Sequence, residues 1–159
     1  RFLRGIDLGC GTGLVGRQIR AFVKSLEGVD LSFGMLKKAA STGTYDLLAQ
    51  ADIHDYLFFV DAKYDLFVAA DVFIYIGELD AVFEGVKSCS QPGGLFSFSV
   101  EERGKWGYML QPSARFAHSR GYVCDRIKRH GMKLICRPSV RIRKEGDRWA
   151  RGRLYMVGL

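Results

Sequence analysis

The sequence predicts an α/β fold: a mostly parallel sheet with helices on both faces, ending in an antiparallel strand. Three observations carry this. Up to Val100, apolar runs alternate with segments of helical spacing. DLFVAAD (Asp65 to Asp71) is nearly all apolar, as expected of a central parallel strand covered on both faces. After Met132, two strand-like runs are joined by the polar turn KEGDRW, the pattern of a hairpin.

Along the chain, FLRGIDL (Phe2 to Leu8) reads as a first strand. The glycine-rich DLGCGTGLVG follows and opens a helix through about Phe22, on which Leu14, Val15, Ile19, Phe22 and Val23 recur at three- and four-residue spacing. SLEGVD (Ser25 to Asp30) is a second strand ending on an acid, and Ser32 caps a second helix at MLKKAA. Tyr45 to Ala49 is a third strand delivering Asp52 and Ile53, after which Asp55 starts a turn or short helix. Asp65 to Asp71 is the fourth strand, and Glu78 to Ser90 has helical spacing. QPGG is a sharp stop before a fifth strand, Leu95 to Val100. Residues 101–118 form a long connection, with two short extended pieces around Pro112-Ser113, and such loops beyond strand ends concentrate function. Ser119 caps a helix to His130 that Gly131 ends, and Met132 to Arg143 with Arg151 to Leu159 make the closing hairpin.

A chain of 159 residues suits one domain with a sizeable core. With 48% hydrophobic residues and three prolines it reads as globular and ordered. VFIYIG (Val72 to Gly77), the longest uncharged apolar stretch, is far too short to span a bilayer, and the strand-like N-terminal run is unlike a signal peptide, so the default expectation is a cytoplasmic protein. The four cysteines lie far apart, without CxxC or a histidine at ligand spacing, which argues against a zinc site or disulfide framework and for free thiols. The start at Arg1, without methionine and reaching the glycine loop within ten residues, reads as part of a longer protein or a missing N-terminal segment.

Charge is uneven. Residues 1–100 hold nine Lys and Arg against twelve Asp and Glu, whereas residues 101–159 hold fifteen against five. That excess suits an acidic partner such as nucleic acid, a phosphorylated substrate or an acidic neighbouring domain. Because the basic residues are dispersed, the plainer reading of solvating arginines is favoured over nucleic acid.

The ligand of the glycine loop is the central question. GTGLVG (Gly11, Gly13, Gly16) matches the dinucleotide pattern GxGxxG, and the helix N-terminus behind it offers unpaired N–H groups to an anion. Asp7, two residues before the first glycine, opposes that reading: a carboxylate repels a pyrophosphate but welcomes the ammonium of an amino-acid-like zwitterion. Gly16 then becomes a close-packing position on the first helix. Asp30, nineteen residues past Gly11, suits ribose hydroxyls in either class. Asp52 suits the exocyclic amine of an adenine while Ile53 packs on the ring, the alternative being a surface turn aspartate.

DLGCGTG, the acid in GVDLS, Asp52-Ile53, DLFVAADVF, the QPGG turn and the closing hairpin together resemble the class I methyltransferases that use S-adenosylmethionine (SAM). The resemblance covers essentially the whole chain. It implies a Rossmann-like seven-stranded sheet whose last strand, about Arg151 to Leu159, inserts antiparallel between the fifth and sixth. It also implies that Asp7, Gly9, Cys10, Gly11, Thr12 and Gly13 line the methionine end and that Asp30, with Leu31 and Met35, holds the ribose side. Asp52 and Ile53 would hold the adenine, and Ala70, Asp71 and Val72 would approach from the fourth strand. A narrower likeness, in LVG, AADVFIYIGEL, FSFSVEE and LQPSARFAHS, is to bacterial methyltransferase domains that follow tetratricopeptide repeats, which implies such a repeat segment in the same polypeptide.

Methyl transfer from a sulfonium is an in-line displacement that depends mostly on orientation and water exclusion. Should the acceptor need to lose a proton, His118, at the end of LQPSARFAH, is the candidate general base, a loop-bonding role being the alternative. Tyr75, Tyr108 and Phe116 either wall the pocket or pack in the loop or core, Arg115 pairs with an acidic acceptor or, as is commoner for an arginine in a turn, is solvated, and Asp71 is read as part of the ligand-facing strand end rather than as a base. The product would be S-adenosylhomocysteine (SAH), a catalytically silent SAM- or SAH-binding domain is the alternative, and the acceptor is left open.

Overall fold

In the computed structural model the backbone is described for residues 1–159 and the side chains for all of these except Arg143, Glu145 and Arg148. Strands β1 (Phe2–Leu8), β2 (Val23–Asp30), β3 (Leu47–Gln50), β4 (Tyr64–Ala69) and β5 (Ser90–Arg103) alternate with helices α1 (Leu14–Ile19), α2 (Phe33–Ala40), α3 (Ile53–Phe59) and α4 (Asp80–Cys89). A short hairpin, β6 (Tyr108–Leu110) and β7 (Phe116–Ser119), leads to α5 (Arg120–Arg129), then β8 (Lys133–Cys136), β9 (Ser139–Glu145) and β10 (Arg148–Gly158). The sheet runs β3-β2-β1-β4-β5-β10-β8, with β1 to β5 parallel and β10 antiparallel between β5 and β8. This is the mostly parallel, Rossmann-like seven-stranded order with an inserted antiparallel last strand, and it sets the C-terminal ends of β1, β2 and β4 along one edge. Among the described residues no helix is long and apolar enough to cross a membrane.

Several expected boundaries move, each for a local reason. The first helix is α-helical only to Ile19 and closes as a 3₁₀ turn over Arg20–Phe22, so Val23 begins β2 two residues before Ser25. The third strand starts at Leu47, because Tyr45 turns inward instead of joining the ladder. Asp52 itself caps α3, its Oδ1 accepting from the His54 N–H at 2.8 Å, so the helix starts at Ile53 and not at Asp55. The caps at Ser32 and Ser119 accept from the N–H groups of Met35 and Tyr122. QPGG falls inside β5 instead of before it, as an irregularity in the ladder with β4: Tyr64 pairs with Ser90 and Leu66 with Leu95, and the register skips residues 91–94. Met132 to Arg143 is not one strand, because Arg137-Pro138 separates β8 from β9, and β9 continues past Arg143 to a tight turn at Gly146-Asp147.

Helices α3, α4 and α5 pack side by side on one face. They cover a core in which Phe73, Phe83, Phe96 and Phe98 meet in edge-on and tilted pairs and Tyr155 of β10 stacks on Phe98 at 5.1 Å. On the other face Val15 and Ile19 of α1 cover Val23, Leu66 and Val68. Glu27 is buried in β2, and its charge is met by Arg4 Nε at 2.7 Å and by the hydroxyls of Tyr64 at 2.6 Å and Tyr56 at 3.1 Å. Phe83 is fully buried among Phe73, Phe96 and Phe98, so Phe83→Ala is expected to lower stability by about 3–5 kcal/mol in urea unfolding.

Candidate functional site

A cavity of about 920 Å³ opens at the C-terminal ends of β1, β2 and β4. Three loops build it. The turn after β1 is drawn onto β2 by Gly9 and Cys10, whose N–H groups both donate to the Val29 carbonyl at 2.8 and 3.0 Å. Gly9 has φ +70 and its missing Cβ would lie 2.4 Å from Val72, so only glycine lets this turn meet the segment after β4. Gly11 has φ +53 with open space where a side chain would project.

Asp30, at the end of β2, ties these loops together. Its Oδ2 accepts from Gly11 N–H and its Oδ1 from Ser32 N–H, both at 2.8 Å, which leaves a second lone pair on each oxygen. Asp52 lines the same cavity. Burial works against its charge, but the His54 amide and imidazole, both bonded to Oδ1, hold its carboxyl below the ordinary value. Ile53 beside it is 6% exposed. After β4, Asp71 adopts φ 54, rare for a residue with a side chain, and its N–H donates to Ser99 Oγ at 2.8 Å.

Asp7 is the most constrained group. It is 1% exposed, and among the described residues no cation pairs with it. Burial pushes its carboxyl up to about 6 and the nearby Asp30 charge adds to this, while the Tyr45 hydroxyl, donating to Oδ2 at 2.7 Å, and the Gly16 backbone oppose it. The native value lies above the ordinary 3.8, so the folded state holds a proton that the unfolded chain has lost between about pH 4 and 6. Native stability therefore falls as pH rises across that window, and the cost is complete above it. The Cys10 thiol is raised to about 12, chiefly by burial and further by Asp7 and Asp30, so it stays protonated at neutral pH and is no nucleophile.

All the residues expected to bind the cofactor line this cavity except Gly13: Asp7, Gly9, Cys10, Gly11, Thr12, Asp30, Leu31, Met35, Asp52, Ile53, Ala70, Asp71 and Val72 do. Gly13 sits behind it as the left-handed N-cap of α1. Tyr75, 68% exposed, is also on the wall. Tyr108 and Phe116 instead pack against each other beside Gly77. His118 stands apart from the cavity and is 0% exposed; its Nε2 donates to the Gly77 carbonyl at 2.9 Å, and burial lowers its pKa from the ordinary 6.5.

Leu14, Val15, Ser32 and Ala51 also line the cavity without having been expected to, and two further contributors escaped sequence reasoning. Tyr45 occupies the space that side chains at Gly13, Gly16 and Gly28 would need, with its hydroxyl 2.2 Å from where a Cβ at Gly16 would sit. Three glycines converging on one point were the available signal. Ile142, from β9, lies on the cavity wall although 67 residues separate it from Tyr75, and nothing local in the sequence announces that.

The family model for the methyltransferase domain matches residues 6–98. The chain belongs to that family. The match spans β1 to the middle of β5 and so contains the three loops that build the cavity. No protein of curated function matches the sequence. Among solved structures, a SAM-dependent methyltransferase from Clostridium acetobutylicum ATCC 824 has the same fold, with TM-score 0.78 at 20% identity over 100% of this chain and 85% of that one. The N-methyltransferase NodS from Bradyrhizobium japonicum WM9, in complex with SAH, gives 0.76 at 16% identity over 99% and 78%. Magnesium protoporphyrin IX methyltransferase from Synechocystis PCC 6803, with bound SAM, gives 0.74 at 18% over 98% and 69%.

Within this methyltransferase domain the Tyr45 bond stabilises ionised Asp7, so Tyr45→Phe is expected to move the Asp7 carboxyl above its value of about 6. An NMR titration of the side-chain carboxyl carbon measures this; an unchanged or lower value would contradict the assignment.

Proposed function

We propose that this chain is a SAM-dependent methyltransferase, and the observation that carries the reading is the buried Asp7 at the head of the glycine loop, which pairs with no cation among the described residues. Together with Asp30 and Asp52 it makes the cavity acidic, and the complementary ligand is a cation. SAM fits: its ammonium would face Asp7, its ribose hydroxyls the free lone pairs of Asp30, and its adenine Ile53 and Asp52. Leu31 and Met35 would flank the sugar, Gly11 leaves room for the methionine chain, and Ala70 and Val72 close the side toward β4. A dinucleotide would bring a pyrophosphate against Asp7, which disfavours it.

Asp7, Asp30, Asp52 and Ile53 would hold SAM, which would supply a methyl group activated for in-line displacement by its sulfonium. The chain's own part is to orient the acceptor and exclude water, the work of Tyr75 and Ile142 on the open wall. His118 acts here as a structural residue holding β7 to Gly77 rather than as the base. The LVG, AADVFIYIGEL and FSFSVEE segments support the narrower assignment to methyltransferase domains that follow tetratricopeptide repeats.

Calorimetric titration with SAM, SAH and NAD tests the donor: SAM and SAH are expected to bind, and NAD binding in their place would sink the reading. SAM affinity is expected to fall as pH drops through about 6, because protonated Asp7 cannot pair with an ammonium. Asp7→Asn is expected to weaken SAM about ten- to hundredfold and to abolish that pH dependence. Transfer of labelled methyl to an acceptor mixture, followed by mass spectrometry, separates an active enzyme from a domain that only retains SAM or SAH. In that assay His118→Ala is expected to lower stability while turnover per folded molecule is kept.

A further inference from the structure

The cavity is laid out in the order of the strands. Asp52 follows β3, Asp30 closes β2 and Asp7 lies at the end of β1, so a donor held by those three acids runs across the ends of β3, β2 and β1 in turn. Its methionine end then points toward the next strand, β4. With about 920 Å³, near the top of the roughly 300–1,000 Å³ range of small-molecule sites, the cavity has room for a second reactant on that side.

The lining toward β4 consists of Leu14, Ala70, Asp71, Val72, Tyr75 and Ile142. Leu14 opens α1, whose Val15 and Ile19 pack against Leu66 and Val68 of β4. Ile142 arrives from beyond β5, folded over Gly152 of β10, which pairs with Glu101. Asp71 apart, this lining is apolar, so a reactant seated here gains chiefly by burying apolar surface.

Tyr75 is the group on this side that the fold leaves without a task. It belongs to a 3₁₀ turn, Phe73–Tyr75, in which Phe73 and Ile74 are buried while Tyr75 is exposed. The turn is fixed: the Tyr75 N–H donates to the Val72 carbonyl at 3.0 Å, the Ile76 N–H donates to the Phe73 carbonyl at 3.1 Å, and Phe73 packs among Phe83, Phe96 and Phe98. Among the described residues neither the Tyr75 hydroxyl nor its ring has a hydrogen-bond or ring partner. Tyr108 and Phe116, by contrast, are spent on each other. An aromatic ring carried on a fixed turn and open to a cavity is a platform on which a second ring stacks at little ordering cost.

We propose that the methyl acceptor is a small molecule built on a planar aromatic ring and that Tyr75 stacks on that ring, with Leu14 and Ile142 packing on its apolar remainder. This rests on the methyl-transfer reading above, which sets where the donor ends. Stacking fixes the plane of the acceptor and so aligns the atom it presents to the donor. A flat ring is thereby preferred over a saturated body of the same size and over a charged peptide side chain.

The test uses the full chain loaded with SAH and titrated by calorimetry at neutral pH with 2-naphthol, with decahydro-2-naphthol, which keeps the carbon skeleton but has no π face, and with a short lysine-rich peptide. Saturable binding of 2-naphthol is expected, about threefold or more tighter than that of its saturated counterpart. Tyr75→Ala is expected to weaken 2-naphthol about tenfold with SAH affinity unchanged, whereas Tyr75→Phe, which keeps the ring, is expected to stay within about twofold of the unsubstituted chain. Because Tyr75 is exposed, neither change disturbs the core. No saturable 2-naphthol binding, equal binding of the two compounds, an equal loss in both variants, or no loss in Tyr75→Ala overturns the proposal. So does peptide binding tighter than that of 2-naphthol, which would make this side the seat of a protein acceptor. Failure of SAH itself to bind counts against the donor reading and takes the proposal with it, whereas SAH binding without Tyr75-dependent 2-naphthol binding counts against the proposal alone.

Discussion

The site is organised around the hydrogen bond from Tyr45 to Asp7. A carboxylate at the end of a central strand, 1% exposed and paired with no cation among the described residues, is an expensive group to bury, and the Tyr45 hydroxyl donating at 2.7 Å offsets part of that cost. The phenol reaches Asp7 only because Gly13, Gly16 and Gly28 leave it a slot. Gly16 is thus required by the packing of Tyr45, with no dinucleotide involved. Around that pin, Gly9 lets the first turn close on Val72, Asp30 takes the Gly11 amide, and the cavity acquires a fixed floor.

The same bond explains why the site awaits a cation. Burial raises the Asp7 carboxyl to about 6, and neither the Tyr45 hydroxyl nor the Gly16 backbone supplies the full positive charge that would offset it. A ligand ammonium would complete the pair and restore an ordinary carboxylate, so part of the binding energy is relief of a cost already present in the empty fold. Charge is divided along the chain: the first hundred residues, acidic overall, carry the three loops that build the cavity, and the basic remainder adds Ile142 of β9 to its wall.

What could be read from the sequence was what is local. Alternating apolar runs and helical spacing gave the parallel order, and Asp7, Asp30 and Asp52 stood out because each sits at or just past the C-terminal end of a strand. Boundaries slipped where side-chain capping or packing decides them, as at Asp52 and Tyr45. His118 looked like a base because a histidine in a loop beyond the strand ends is usually wet; its burial comes from packing of Tyr108 and Tyr122 against its ring, pairs that no periodicity announces. Ile142 was invisible for a related reason. Its position depends on a one-residue register shift in a hairpin, and that shift is fixed by Gly152 accepting the isoleucine above it.

The absence of His118 from the cavity also bears on the chemistry. The titratable groups on the wall are Asp7, Cys10, Asp30, Asp52, Asp71 and Tyr75. Of these, the Cys10 thiol is held in its protonated form by burial, Asp7 accepts from Tyr45, and Asp30 and Asp52 each accept from backbone amides. An acceptor atom that arrives already ionised attacks the methyl carbon with no proton to lose, and asks of such a site only alignment and exclusion of water.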